Sequence, residues 1–435
     1  MSSGAARSTT PGAAEADGRS AGPSTTRAAV LALPVPGAEP LDRVAGLALV
    51  TRTVLTLQKE GIARVLVVTD STSLVPSIAR DPRIRIPVEA VVVAATVSDL
   101  APLAGLFYGP FLVARFEVVV DPAVYKLLLA APLSGTLGAI AHTNGKPVGP
   151  FVATPALVDE LGDEPLDEAL ARPDRQDRLA WVDVGSRWIA RVTDDEGRRR
   201  ATRELFEACR KPVDGYVARH LNRHISIFLS KLLVDTPVTP NGLSVFTFLL
   251  GIAAAVSAAR GGWPATAAAG LLFQLNSILD GCDGELARVR FQHSRLGQWL
   301  DTVSDDLSNI LFFAGLALGA RALPYGDWLS SAGWVATGAS VATTVVYYSE
   351  LIQLGSGDLY AIEWGFDKER PAGIGGALLI FFRYLFKKDA TVLLFCVLAL
   401  VGILPYTLPI IAVAQIAILA AAVGRRVSRG AAAER

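Results

Sequence analysis

Asp280-Gly281-Cys282-Asp283-Gly284-Glu285-Leu286-Ala287-Arg288 is followed, after eight residues, by Gly297-Gln298-Trp299-Leu300-Asp301-Thr302-Val303-Ser304-Asp305. Both stretches adjoin long apolar runs, where ordinary membrane helix carries no such acids. On a helix Asp280, Asp283, Gly284 and Ala287 fall at i, i+3, i+4 and i+7, on one face. Asp301 and Asp305 also stand one turn apart. A short turn over 291–296 predicts that the two helices are antiparallel neighbours, which converges four carboxylates near one membrane surface. Four close anions repel unless something neutralises them. Divalent cations that prefer oxygen, Mg²⁺ or Mn²⁺ and two ions for four acids, are the natural solution. Such ions can bridge a diphosphate and stabilise charge on a leaving phosphate. Gly284 and Gly297 remove side chains where a nucleotide would approach the helices, and Arg288 suits a phosphate. The bland alternative is a set of solvated helix-end charges. The cost of acids in a membrane segment argues against it for the set as a whole.

Long apolar runs follow Pro240. Six candidate spans cover roughly 242–259, 263–286, 299–320, 329–352, 389–404 and 406–424, each near the ~20 residues a bilayer requires, with the fifth short. Arg290, Arg295, Lys368, Arg370, Lys387, Lys388, Arg425 and Arg426 fall on one side, against Arg260 and Arg321 on the other. That asymmetry predicts an inner-membrane protein with both termini and the acidic cluster in the cytoplasm. Gly251 and Gly270 read as helix packing. Lys368-Glu369-Arg370-Pro371 reads as a solvated loop.

Most charge lies before Asn241. Lys and Arg number 41, as do Asp and Glu, so no net charge points to nucleic acid. Residues 1–27, rich in Ala, Ser, Gly, Thr and Pro, read as a disordered tail. They lack a signal peptide's apolar core. Cys209, Cys282 and Cys396 form neither a metal spacing nor a disulfide framework. Over 28–195 short Val-rich runs (Ala29–Leu33, Val65–Thr69, Val88–Ala94, Phe111–Val120) alternate with helical stretches such as Leu49–Glu60 and Leu100–Leu106. That pattern predicts a mostly parallel α/β sheet. Residues 196–240 read as a linker and an amphipathic juxtamembrane helix, and 241–426 as the all-α membrane domain.

The acidic stretch resembles the signature of the CDP-alcohol phosphotransferases, Asp-x-x-Asp-Gly-x-x-Ala-Arg, eight residues, Gly-x-x-x-Asp-x-x-x-Asp. Asp280, Asp283, Gly284, Ala287, Arg288, Gly297, Asp301 and Asp305 match it at every fixed position. A chance match at one site is on the order of one in a billion with average residue usage. The resemblance extends over about 205–425 with its six-span layout. It implies transfer of a phosphoalcohol group from a CDP-alcohol to an acceptor hydroxyl, with release of CMP. It also implies Asp280, Asp283 and Asp301 as metal ligands and Asp305 as general base and further ligand. Homodimers are known among such relatives. Asp306 is an additional carboxylate outside the pattern.

Two upstream stretches narrow the resemblance. Thr239-Pro240-Asn241 resembles the family's entry to the nucleotide site. Lys211-Pro212-Val213-Asp214-Gly215 and Leu221-Asn222-Arg223-His224-Ile225-Ser226 look like the branch that fuses a cytidylyltransferase to the phosphotransferase. Its members make di-myo-inositol phosphate phosphate from CDP-inositol and inositol phosphate. Arg219 and Arg223 then have two readings, acceptor-phosphate ligands or anchors on anionic lipid. The front domain resembles a sugar-phosphate nucleotidyltransferase in layout, but Pro34–Arg43 lacks the glycine-rich loop and lysine that cradle a triphosphate. Arg115-Phe116-Glu117 stands where a metal-binding Gly-Asp belongs. A catalytically degenerate front domain is therefore expected, with Glu117 or Asp121 as candidates for a divergent site. A synthase using CDP-diacylglycerol and a non-catalytic nucleotide-binding scaffold are the competing readings.

Overall fold

The computed structural model describes residues 27–433 apart from 94–102, 104, 162–169, 171, 173–176, 212–213, 356 and 358–386. The tail 1–26, most of the helical stretch expected at 100–106 and the Lys368–Pro371 loop lie outside the described residues. The chain divides into two compact units. One holds Met1–Pro40 and Val50–Ile189, the other Leu41–Leu49 and Ala190–Arg435.

The elements run β1 (Arg27–Leu31), β2 (Arg43–Val44), β3 (Leu47–Ala48), α1 (Leu49–Lys59), β4 (Arg64–Thr69), α2 (Leu74–Ala79) and β5 (Val88–Val92). Next come β6 (Phe111–Arg115), β7 (Val118–Val120), α3 (Pro122–Leu129), β8 (Gly138–Thr143), β9 (Lys146–Ala153), α4 (Pro155–Leu161), β10 (Leu179–Asp183) and β11 (Ile189–Arg191). Seven strands form one sheet in the order β10-β8-β9-β6-β1-β4-β5. β1 pairs in parallel with β4 and β6, and β4 with β5. Only β9 runs against its neighbours β6 and β8. The Val-rich runs become central strands because both faces are covered, and Ala29, Val67, Val68 and Val113 are fully buried. The single strand expected at 111–120 is two, broken at Phe116–Glu117.

The second unit contains α5 (Asp195–Glu207), a π-helical turn (Ala218–Asn222), α6 (Arg223–Leu233), α7 (Pro240–Ala259), α8 (Trp263–Val289), α9 (Arg295–Ala320), α10 (Gly326–Leu354), α11 (Lys388–Val401) and α12 (Leu408–Ala433). Helices therefore occur at all six expected span positions. Four of them, α7, α9, α10 and α12, are long and apolar enough to cross a membrane. α8 carries the acidic motif and α11 is only 14 residues long. The chain is an integral membrane protein by these four helices. α7 is the common packing partner of α8 and α9. A Cβ on Gly251 of α7 would lie 2.3 Å from Ser308 Oγ of α9, and one on Gly270 of α8 would lie 2.5 Å from the Ala399 Cβ of α11. Both glycines serve close helix approach. Phe273, Phe312 and Phe395 stack at the centre of this bundle.

The hairpin β2–β3 groups with the helices instead of the sheet. Gly46 N–H donates to Asp235 Oδ1 at 3.0 Å, and Arg198 of α5 donates to the Arg43 carbonyl at 2.7 Å.

Candidate active site

α8 stops at Val289 and α9 starts at Arg295. The reversal is made by Phe291 in the left-handed region (φ 54°) and by Ser294, whose hydroxyl accepts the Gly297 N–H at 2.9 Å. Each helix packs on α7, and Phe273 of α8 stacks on Phe312 of α9 at 4.1 Å. Their acidic ends also meet, where both lean on the N-terminal part of α7.

Asp280 of α8 and Asp301 and Asp305 of α9 each offer a carboxylate oxygen within 4.8 Å of the others. All three are half-buried. Asp283 is buried and turned to α7, where Ser244 Oγ donates to its Oδ2. The cluster contains a cation that sequence reading counted only as loop charge. Lys388, first residue of α11, donates to Asp305 Oδ2 and lies 3.9 Å from Asp280 Oδ2. Neither Lys388 nor Ser244 had a local signal, since they sit 83 and 39 residues from their partners.

The donor set is hard oxygen, half-buried and short of positive charge, which fits a Mg²⁺-class ion. Asp280, Asp301 and Asp305 are the residues placed to hold one, with Asp283 a turn away. Around them, a Cβ on Gly297 would lie 2.9 Å from Asn241 Oδ1, so the glycine admits the Asn241 side chain to the α9 terminus. Arg288 reaches back over Gly284, with Nη1 3.1 Å from where a Cβ would be, and its Nε is buried without a hydrogen-bond partner. Ala287 lends its carbonyl to Gln292 N–H at 2.8 Å. Asp306 has a buried Oδ2 without a partner.

Of the two expected phosphate ligands, Arg219 lies in the π-helical turn. Arg223 is committed elsewhere, to Asp214 and Glu285. The front unit's candidate carboxylates have structural work. Glu117 is buried and paired with Arg115 at 2.6 Å. Asp121 caps α3 by accepting the Ala123 N–H at 2.9 Å. The loop after β1 closes on itself, with Val35 and Ala38 exchanging backbone hydrogen bonds of 3.1 and 3.0 Å.

Residues 237–424 match the family model described as CDP-alcohol phosphatidyltransferase. The match runs from just before α7 into α12. The chain is 41% identical over 173 residues to a protein of Thermococcus kodakarensis named "Bifunctional IPC transferase and DIPP synthase", covering 38% of this chain and 37% of that one. A protein of the same name from Aquifex aeolicus is 32% identical over 212 residues, 48% of this chain and 47% of its own length. The match to the Rubrobacter xylanophilus protein of that name is 29% over 325 residues, 65% of this chain and 73% of the relative. The chain thus spans less than half the length of the first two relatives. A solved inositol-1-phosphate CTP transferase from T. maritima aligns with 41% of the chain and 96% of its own at 13% identity, with a TM-score of 0.34.

Proposed function

We propose that the helical unit transfers a phosphoalcohol group from a CDP-alcohol to an acceptor hydroxyl and releases CMP. The carrying observation is the convergence of Asp280, Asp301 and Asp305 within 4.8 Å, at positions fixed by the family signature. The acceptor oxygen forms a bond to the β-phosphorus, the one bearing the alcohol, as the anhydride oxygen leaves with CMP. Asp305 takes the acceptor's proton. Asp280, Asp283 and Asp301, with Asp305, hold Mg²⁺ or Mn²⁺. When bound, such ions offset charge on the diphosphate. Arg288 and Lys388 supply fixed positive charge on either side, and Asn241 with Gly284 and Gly297 lines the nucleotide approach.

The relatives' printed names favour an inositol-type donor such as CDP-inositol, and an acceptor that is a phosphorylated polyol or a lipid hydroxyl. Use of CDP-diacylglycerol is the second reading; products extracted into organic solvent would favour it. The test is purified protein with a panel of CDP-alcohols and acceptors, read as CMP release. Activity is expected with Mg²⁺ or Mn²⁺ and none in excess chelator. Full turnover in chelator would sink the metal assignment. A homodimer is the proposed assembly, as the resemblance implies.

The front unit is proposed to be catalytically degenerate. Its post-β1 loop pairs its own amides, and Glu117 is neutralised by Arg115. The full-length protein should therefore make no CDP-alcohol from CTP and a phosphorylated alcohol at ordinary enzyme rates. Formation at such rates would end this reading. Both termini and the carboxylates are proposed to face the cytoplasm, from the Arg and Lys asymmetry between loops. A tag after Arg435 should resist labelling from the periplasm, and its ready labelling would contradict the orientation.

A further inference from the structure

The signature leaves Gly281, Cys282 and Glu285 of α8 unspecified, and these three face the juxtamembrane helix α6. Glu285 has no exposed surface. Three donors reach its carboxylate: Arg223 Nη1 at 2.8 Å, Ser226 Oγ at 2.7 Å and Ser230 Oγ at 2.7 Å. The same guanidinium forks onto Asp214, Nε to Oδ2 at 3.0 Å and Nη2 to Oδ1 at 3.1 Å. Asp214 then accepts the Lys211 N–H at 2.9 Å, while its own N–H donates to the Lys211 carbonyl at 3.0 Å. Burial pushes Asp214 towards the neutral acid, but the Arg223 guanidinium and the Lys211 amide together outweigh it and hold the carboxyl below its usual range. A cation between two anions, each hydrogen-bonded, is the arrangement in which buried charge is tolerated.

The other side of this segment is held by α11. Asp389 accepts the Ala218 N–H at 2.6 Å, and a Cβ on Gly215 would lie 2.4 Å from the Asp389 carboxylate. Asp214–Ala218 is thus pinned between the helices that supply Asp280 and Lys388.

We propose that Glu285 and Arg223 are a positioning pair that locks α6 and the Asp214 turn onto the carboxylate helix, fixing the spacing between the helices that supply Asp280 and Lys388. This rests on the proposed transfer reaction. It assigns Arg223 to the scaffold of the site and not to the acceptor phosphate.

The chain's own cysteines report on it. Cys209, Cys282 and Cys396 are all buried, and the Cys282 thiol lies under α6, donating to the Ser226 carbonyl at 3.4 Å. Full-length protein in native membranes is treated with maleimide and each cysteine is read by mass spectrometry. Glu285→Gln and Arg223→Gln should each raise Cys282 labelling by about 100-fold or more, the scale of breaking a buried ion pair. Cys396 should stay protected. Both variants should raise acceptor KM by the same factor, the double variant adding nothing and Arg223→Lys recovering part. Were Arg223 a direct acceptor ligand, Arg223→Gln alone would raise KM while Cys282 stayed protected, and the proposal would fall. If Cys396 also reacts, the variant has unfolded and Gly281→Ala decides instead. Its Cβ would press on Arg223 Nη1 at 3.2 Å and Ser226 Oγ at 3.3 Å. Labelling confined to Cys282 then supports the lock; a protected Cys282 overturns it. Absence of CMP release by the wild type would defeat the proposed reaction, while the labelling still decides whether the pair holds α6.

Discussion

Asp305→Asn should lower turnover by about two to four orders of magnitude, the usual range for losing a general base. The substitution keeps the shape of the side chain and removes its capacity to take a proton. Asp305 sits one turn beyond Asp301 on α9, within 4.8 Å of the Asp280 and Asp301 oxygens and bound by Lys388. CDP-alcohol affinity should fall far less, because Asp280, Asp283 and Asp301 remain. Asp283→Asn should instead weaken metal and nucleotide binding together, since this residue belongs to the proposed metal set and is seated on α7 through Ser244. Turnover and CDP-alcohol affinity of both variants, at fixed metal concentration, separate the two roles. Near-normal turnover of Asp305→Asn would transfer the base to another group, with Asp306 examined first.

Arg290→Met should destabilise the protein by several kcal/mol, on the order of 3–5, because it strips partners from a cluster of buried carbonyls. Arg290 Nε donates to the Val234 carbonyl at 3.0 Å, Nη1 to Val238 at 2.6 Å, and Nη2 to Leu233 at 2.7 Å and Thr236 at 2.8 Å. These carbonyls lie where α6 ends and the chain turns into α7, and that of Leu233 also accepts from Thr236. The guanidinium therefore also sets the path into Thr239-Pro240-Asn241. Thermal unfolding in detergent measures the loss; an unchanged transition temperature would show that solvent satisfies those carbonyls. Arg290→Lys should recover little, because an ammonium cannot span four carbonyls as the planar fork does.

Arg290 also shows where sequence reading stops. In the sequence it is one of eight Arg and Lys residues that bias loop charge, and its neighbour in that count, Lys388, looks the same. One is a buried cap on α6 and the other enters the carboxylate cluster. Arg223 was similarly ambiguous, because a cation near a membrane surface has the same local pattern whether it meets phosphate, lipid or a buried glutamate. Only the position of α6 against Gly281 and Glu285 separates those cases.

What the sequence determined alone was the part encoded by period and spacing. Val-rich runs alternating with amphipathic stretches set the α/β unit, and long apolar runs set the helical one. The four aspartates were legible because helical periodicity places i, i+3 and i+4 on one face whatever surrounds them. Tertiary structure decided which of these acids meet. Asp280, Asp301 and Asp305 converge and Asp283 turns to Ser244, because α8 and α9 both pack on α7. It also moved Leu41–Leu49 from the sheet unit to the helices and brought Lys388 into the cluster. Those outcomes depend on contacts across dozens to hundreds of residues, which no local period records.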